Sequence, residues 1–197
     1  LFAYILLKFL AAKILKMKFE VLGIPKFRID VKWVIAGILL PTIVTAIFLL
    51  LPGQFVSSEM NGMQMFATLS TGLFFSGIAV GFVEEFVFRG FILNLLHIRW
   101  NRTIAIIVPS FLFGALHIIG MDYSILSCCL VLIAGTLAGI MFSYIALENN
   151  SVWNSGIVHA IWNFIIIGGG IKISEKPDNY SIITYVLDEN LELSHQL

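Results

Sequence analysis

Between residues 33 and 171 the chain carries only three basic side chains, Arg89, Arg99 and Arg102, and five acids, Glu59, Glu84, Glu85, Asp122 and Glu148. A soluble domain carries about 25% charged residues. This chain of 197 residues carries 12%, against 59% hydrophobic. So few charges cannot clothe a water-exposed surface, and the apolar runs approach the ~20 residues a membrane-crossing helix needs. Inside a bilayer every backbone polar group must be satisfied within the protein, which selects helices here. The expected fold is therefore all-α: a polytopic transmembrane helical bundle of about six spans around a buried polar site, with membrane lipid as its surroundings. The formal net charge of zero argues against a nucleic-acid partner.

The charges that remain set the organisation. The first apolar run, residues 1–12, contains Lys8 and is short for a span; it reads as one cut at its N-terminal end. A cleavable signal is the alternative, but no small-residue cleavage site follows. The connector 13–32 holds Lys13, Lys16, Lys18, Lys26, Arg28 and Lys32 against Glu20 and Asp30, which places it on the cytoplasmic side. The next span, 33–51, has Pro41 within it, where a kink is expected, and Pro52-Gly53 ends it in an external loop. Residues 62–100 read as one crossing with an extension or break at one end, returning inward at Arg99 and Arg102. Residues 103–120 go out, 124–147 come back and 152–171 cross again. Residues 1–171 thus form a membrane-embedded domain, and 172–197 a polar tail, exposed and partly mobile. The spacings Gly77-x3-Gly81 and Gly135-x3-Gly139 suit close helix packing. Adjacent Cys128 and Cys129 point to different helix faces and read as apolar filler, neither disulfide nor metal pair.

An ionisable group at mid-bilayer costs at least about 2.5–3.5 kcal/mol, so each one calls for a partner or a purpose. Within the expected spans these groups are Glu84, Glu85, Arg89, His117 and His159; His97 sits at a boundary beside Arg99, and His195 in the tail. Glu85 and Arg89 are four apart and can pair along one helix face, a structural role that leaves Glu84 unexplained. Glu84 lies about 100° round the helix from Glu85, beside the Gly77/Gly81 stripe. Trp100 to Arg102 forms the turn to the next helix, and Glu84 and His117 each lie about 16 residues, or about 24 Å, from its centre. In an antiparallel hairpin they stand level. Ser110, Phe113, Gly114 and His117 share a stripe, and His159 and Asn163, again four apart, share another. Trp153 marks the membrane interface ahead of them.

A carboxylate beside an imidazole can position and deprotonate water, while a second imidazole and a carboxamide can donate hydrogen bonds to an oxyanion. The same groups, Glu84, His117 and His159, could instead hold zinc with a position open for water, although no His-Glu-x-x-His helix is present. Buried Glu and His also build ion pathways, which keeps a proton-coupled transporter open, but no internal repeat supports it.

Three segments carry a resemblance: Glu84-Glu85-Phe86-Val87-Phe88-Arg89-Gly90, Phe113-Gly114-Ala115-Leu116-His117 and His159-Ala160-Ile161-Trp162-Asn163. In this order, and on separate expected spans, they resemble the three motifs of the CAAX-protease and bacteriocin-processing (CPBP, or Abi) intramembrane peptidases, the family that includes the type II CAAX prenyl endopeptidases. The resemblance implies Glu84 as general base with His117 assisting, His159 and Asn163 as the oxyanion site, and Glu85 and Arg89 as support. It implies a peptide or protein substrate, and a mechanism that needs no metal, with a zinc-dependent version as the alternative. The chain looks like a shorter bacterial member in the plasma membrane. That implies peptide maturation, bacteriocin self-immunity or regulated proteolysis; a non-enzymatic immunity protein on the same fold is the remaining class.

Overall fold

The computed structural model describes residues 2–120 and 124–188. Asp122 and His195 therefore lie outside the described residues, as does much of the expected external turn at 120–123. The all-α membrane bundle is observed. Its helices are α1 (Phe2–Phe9), α2 (Val31–Phe48), α3 (Gly62–Thr71), α4 (Gly81–Glu85), α5 (Leu93–Arg99), α6 (Arg102–Leu116), α7 (Ile125–Asn149) and α8 (Val152–Ile167). Among the described residues three stretches are long and apolar enough to cross a membrane: Val31–Phe48, the 38-residue run Gly62–Arg99 and Ile125–Asn149. Arg102–Leu116 and Val152–Ile167 are shorter apolar helices. The run Gly62–Arg99 is unbroken because π-helical segments, Gly72–Val80 and Phe86–Ile92, join α3 to α4 and α4 to α5. α2 likewise continues through Pro41, which is buried. The chain divides into two compact units, residues 1–30 with 82–157, and residues 31–81 with 158–197.

In the first unit α1 continues into a π-helical turn, Leu10–Leu15, which closes on Lys16 in the left-handed region (φ 54°). The basic connector then folds back as a short 3-10 turn, Phe19–Leu22, ending at Gly23 with φ 69°. The positive φ favours glycine at Gly23, and an added Cβ would lie 2.7 Å from Asn94 Nδ2, so the Asn94 side chain would have to move. The Gly23 carbonyl accepts the Val152 N–H at 2.9 Å. Trp153 donates its indole N–H to the Pro25 carbonyl at 2.8 Å and packs edge-on against Phe27 and Phe86. The connector is thus bound to the start of α8 through a core of Leu7, Ile24, Phe86 and Val152. The α6–α7 pair closes on small residues: an added Cβ at Gly135 would lie 2.7 Å from the Gly114 Cα, and one at Gly139 2.8 Å from the Ser110 Cα. Backbones this close gain dispersion contacts that larger side chains would forbid.

The second unit holds α2, α3 and the last turns of α8, and it departs from expectation at the C-terminal end. The stretch expected as an exposed tail instead supplies β2 (Ile171–Ser174) and β3 (Ile183–Leu187), and the external loop supplies β1 (Gly53–Ser57). The order is β1-β3-β2, with β1 antiparallel and β2 parallel to β3. β3 is the central strand, and Thr184, Tyr185 and Leu187 are buried. Tyr185 stacks on Phe55 and donates its hydroxyl to the Leu51 carbonyl at 2.7 Å, tying the sheet to the end of α2. The run Ile-Thr-Tyr-Val-Leu is rich in β-branched and aromatic residues, so local propensity supports the strand despite its polar flanks.

Candidate active site

The first unit places the Glu84–Arg89 constellation. Glu85 and Arg89 are fully buried and joined by a 2.7 Å bond from Arg89 Nη1 to Glu85 Oε1. The second guanidinium arm donates to the Gly139 carbonyl at 3.0 Å, which ties this helix to α7. Around the cation stand the rings of Phe113, Phe142 and Phe88, at 4.6, 5.3 and 5.6 Å from the guanidinium carbon. This is a buried ion pair anchored on three sides. It is the structural role the sequence left open for these two residues, and its geometry suits positioning. Arg89 sits within the π-helical segment. Asn94 braces it, donating Nδ2 to the carbonyls of Arg89 and Gly90 at 2.8 and 2.9 Å. Sequence spacing did not single out Asn94, because a lone Asn in an apolar helix carries no signal for a π-turn.

Glu84, on the next face, is half-buried and within electrostatic reach of Arg89. An aromatic pair fixes how its helix meets α6 one turn further on. Phe88, one turn beyond Glu84, packs edge-on against Phe113, one turn before His117, with ring centroids 5.4 Å apart. That is the hairpin register counted from the turn at residues 100–102, observed one helical turn away from Glu84 and His117. His117 lies just past the end of α6, which stops at Leu116, short of the span expected to reach residue 120. Its Nδ1 is 2.7 Å from the Phe113 carbonyl, and its ring lies against the Phe113 ring at 4.6 Å. A carbonyl only accepts, so Nδ1 carries the hydrogen of this bond. The His117 ring is therefore held in one orientation and is not a free rotor. Ser110, on the same stripe, is fully buried; its hydroxyl donates to the Ile106 carbonyl at 2.7 Å and lies 3.4 Å from that of Ser143.

The second unit places His159 and Asn163, both buried (3% and 8% exposed) on one face of α8. Glycines bring the neighbouring helix close: an added Cβ at Gly77 would lie 2.9 Å from the Ala160 carbonyl oxygen, and one at Gly81 3.1 Å from the Ala160 backbone. Asn163 donates Nδ2 to the Ser76 carbonyl at 3.0 Å, and Ser76 lies in the π-helical segment 72–80. One amide N–H is thereby fixed, and the other has no partner among the described residues. An amide held by one hydrogen can donate the second to another acceptor. Among the described residues no three His, Cys, Asp or Glu side chains are grouped as the ligands of a metal ion would be.

One family model matches this chain, over residues 66–165, and it is that of the type II CAAX prenyl endopeptidase Rce1-like proteins. The match spans all three motifs and half of the chain. The protein belongs to the Rce1-like family. No curated protein and no solved structure matched it. As an Rce1-like protein it is a member of a peptidase family, with a peptide or protein as the kind of substrate that family implies. The first motif lies on Gly62–Arg99, which is long and apolar enough to cross a membrane, and the other two lie on or at the end of the shorter apolar helices Arg102–Leu116 and Val152–Ile167.

Proposed function

We propose that this Rce1-like protein is an intramembrane endopeptidase that hydrolyses a peptide bond by an activated water. Glu84, assisted by His117, takes a proton from water as its oxygen attacks the scissile carbonyl carbon. His159 and Asn163 donate hydrogen bonds to the oxyanion that forms. Collapse of the tetrahedral intermediate breaks the C–N bond, and the proton held on the Glu84–His117 side passes to the leaving nitrogen, which gives a carboxylate and an amine. Glu85 and Arg89 position the first helix. The observation that supports this reading is the His117 Nδ1 bond, which fixes the imidazole ring, taken with the Phe88–Phe113 register between its helix and that of Glu84. The Asn163 amide, clamped on Ser76, supports the oxyanion role.

The proposed reaction requires no metal. Zinc on Glu84, His117 and His159 would supply Lewis-acid chemistry instead, and chelator treatment of purified protein with metal analysis separates the two. The substrate is a membrane-associated protein or peptide, as in CAAX-type processing, bacteriocin or signal-peptide maturation, or self-immunity. The site of action is a bacterial plasma membrane that the chain crosses several times. Comparative peptidomics of cells carrying the wild type or Glu84→Gln tests activity and substrate together. The reading expects a defined peptide end that disappears in the variant at equal expression. Identical peptide ends in both strains sink it, and ion-gradient-dependent uptake lost in the variant points to a carrier instead.

A further inference from the structure

The connector between α1 and α2 carries a surplus of positive charge that peptide hydrolysis does not use. Its burial is two-sided. Ala11, Leu22 and Ile24 turn inward and are buried, while Lys13, Lys16, Lys18, Lys26 and Arg28 stand exposed. Residues 13–30 hold these five cations against two acids, Glu20 and Asp30, and Asp30 lies 3.4 Å from Arg28. Counting Glu148 of the adjoining α7–α8 turn still leaves a surplus of two positive charges. Among the described residues the four lysines enter no ion pair. Exposed apolar side chains are interleaved with them: Ile14 (65%), Val21 (48%) and Phe27 (66%).

These cations ride on a pinned segment. The Val152 N–H donates to the Gly23 carbonyl at 2.9 Å, the Trp153 indole to the Pro25 carbonyl at 2.8 Å, and the Asp30 N–H to the Asn154 side-chain oxygen at 3.0 Å. All three partners stand in the first turn of α8, an apolar helix, so the connector lies at the end of that helix. Phe27, flanked by Lys26 and Arg28 in sequence, packs edge-on against Trp153 with ring centroids 4.9 Å apart. An indole at the end of an apolar helix marks the headgroup level of a bilayer.

We propose that this connector is a binding surface for the headgroups of anionic phospholipids in the adjoining leaflet. Lys13, Lys16, Lys18, Lys26 and Arg28 meet the phosphates, and Ile14 and Phe27 enter the acyl boundary. The proposal goes beyond the peptidase reading and does not rest on it. Two features select the occupant. The surplus charge complements a negative surface, where each Lys or Arg strengthens binding about fivefold. A soluble polyanion such as an acidic peptide would neutralise the lysines but leave Ile14 and Phe27 in water, whereas a lipid surface takes up both.

The test places the full chain in proteoliposomes of phosphatidylglycerol and phosphatidylcholine, with a photo-cross-linking residue at position 27 and mass spectrometry of the captured lipid. At low salt phosphatidylglycerol should be captured about five- to twentyfold above its share of the bilayer. The excess should fall toward that share as salt shortens the screening length from about 30 Å at 0.01 M to about 3 Å at 1 M. Changing Lys13, Lys16, Lys18 and Lys26 together to Gln should abolish the excess, and changing the same four to Arg should keep it. Lysines beside a span also set its orientation, so protease accessibility checks that both variants face the same way as the wild type. If the Gln variant inverts, the salt series on the wild type decides alone. The proposal is overturned by wild-type capture at bulk composition, by an excess that salt does not reduce, or by an unchanged excess in a correctly oriented Gln variant. Capture of a protein in place of lipid, when the same probe is used in cells, also overturns it.

Discussion

Arg89→Met removes the cation from a fully buried pair and leaves Glu85 in place beneath three aromatic rings. The 2.7 Å bond to Glu85 and the 3.0 Å bond to the Gly139 carbonyl are both lost. Breaking a buried pair by removing one partner costs about 3–5 kcal/mol, mostly because a charge stays buried without compensation. For a chain of this size about 2–4 °C of melting temperature accompanies each kcal/mol, so the fall should be about 6–20 °C. The double variant Glu85→Leu with Arg89→Met removes both charges and should regain all but about 1–2 kcal/mol, the residue coming from the Gly139 carbonyl. Equilibrium unfolding in mixed micelles, followed by helical circular dichroism for both single variants and the double, yields the coupling energy. A loss below about 1 kcal/mol for Arg89→Met, the level of an exposed pair, would refute the claim that this pair anchors the site.

Gly135→Val places a branched side chain where an added Cβ already lies 2.7 Å from the Gly114 Cα. The α6–α7 pair must part, and the same unfolding assay should show a loss of about 1–3 kcal/mol or more, as overpacking does. Asn163→Ala removes the donor and leaves the Ser76 carbonyl without its amide; kcat should fall about 100- to 1,000-fold with little change in KM. The Asp178 carboxyl is held below its ordinary value of 3.8 by the hydrogen bond from Lys172 and by the Tyr180 N–H. A lowered folded-state value means this stabilisation is fully present above the ordinary value and is lost as pH falls through the lowered one. Hydrogen exchange at the β2–β3 connection should therefore be pH-independent in its protection from pH 7 to about 5 and rise at more acid pH, and Lys172→Met should weaken that response.

The helical bundle was legible because charge is so sparse: spans and turns follow from where Lys and Arg stop and resume. The register between the helix of Glu84 and α6 was also legible at one point, since it follows from the position of the turn, and Phe88 packs on Phe113 where the count sets them opposite. The close approach of backbones at Gly77, Gly81, Gly135 and Gly139 follows from the small-residue spacing alone. Other features were less so. π-Helical segments at 72–80 and 86–92 have no spacing signature. The sheet was missed because the acids around residues 172–197 dominated the reading. The β-branched run from Ile183 was the available signal, and pairing with β1, some 130 residues earlier, depends on tertiary structure. His117 lies just beyond its helix because α6 ends a turn early, an end that composition did not mark.

Glu84 carries the central claim, and single-turnover hydrolysis in proteoliposomes tests it most directly. Wild type and Glu84→Gln are compared on one cleaved peptide in ¹⁸O-water, with folding of both checked by circular dichroism. The account predicts label in the new carboxylate for the wild type, and a rate for the variant lower by about 100- to 10,000-fold at unchanged peptide affinity. A folded Glu84→Gln protein that cleaves within about tenfold of the wild-type rate would contradict it, since no general base of ordinary efficiency could then reside at that position.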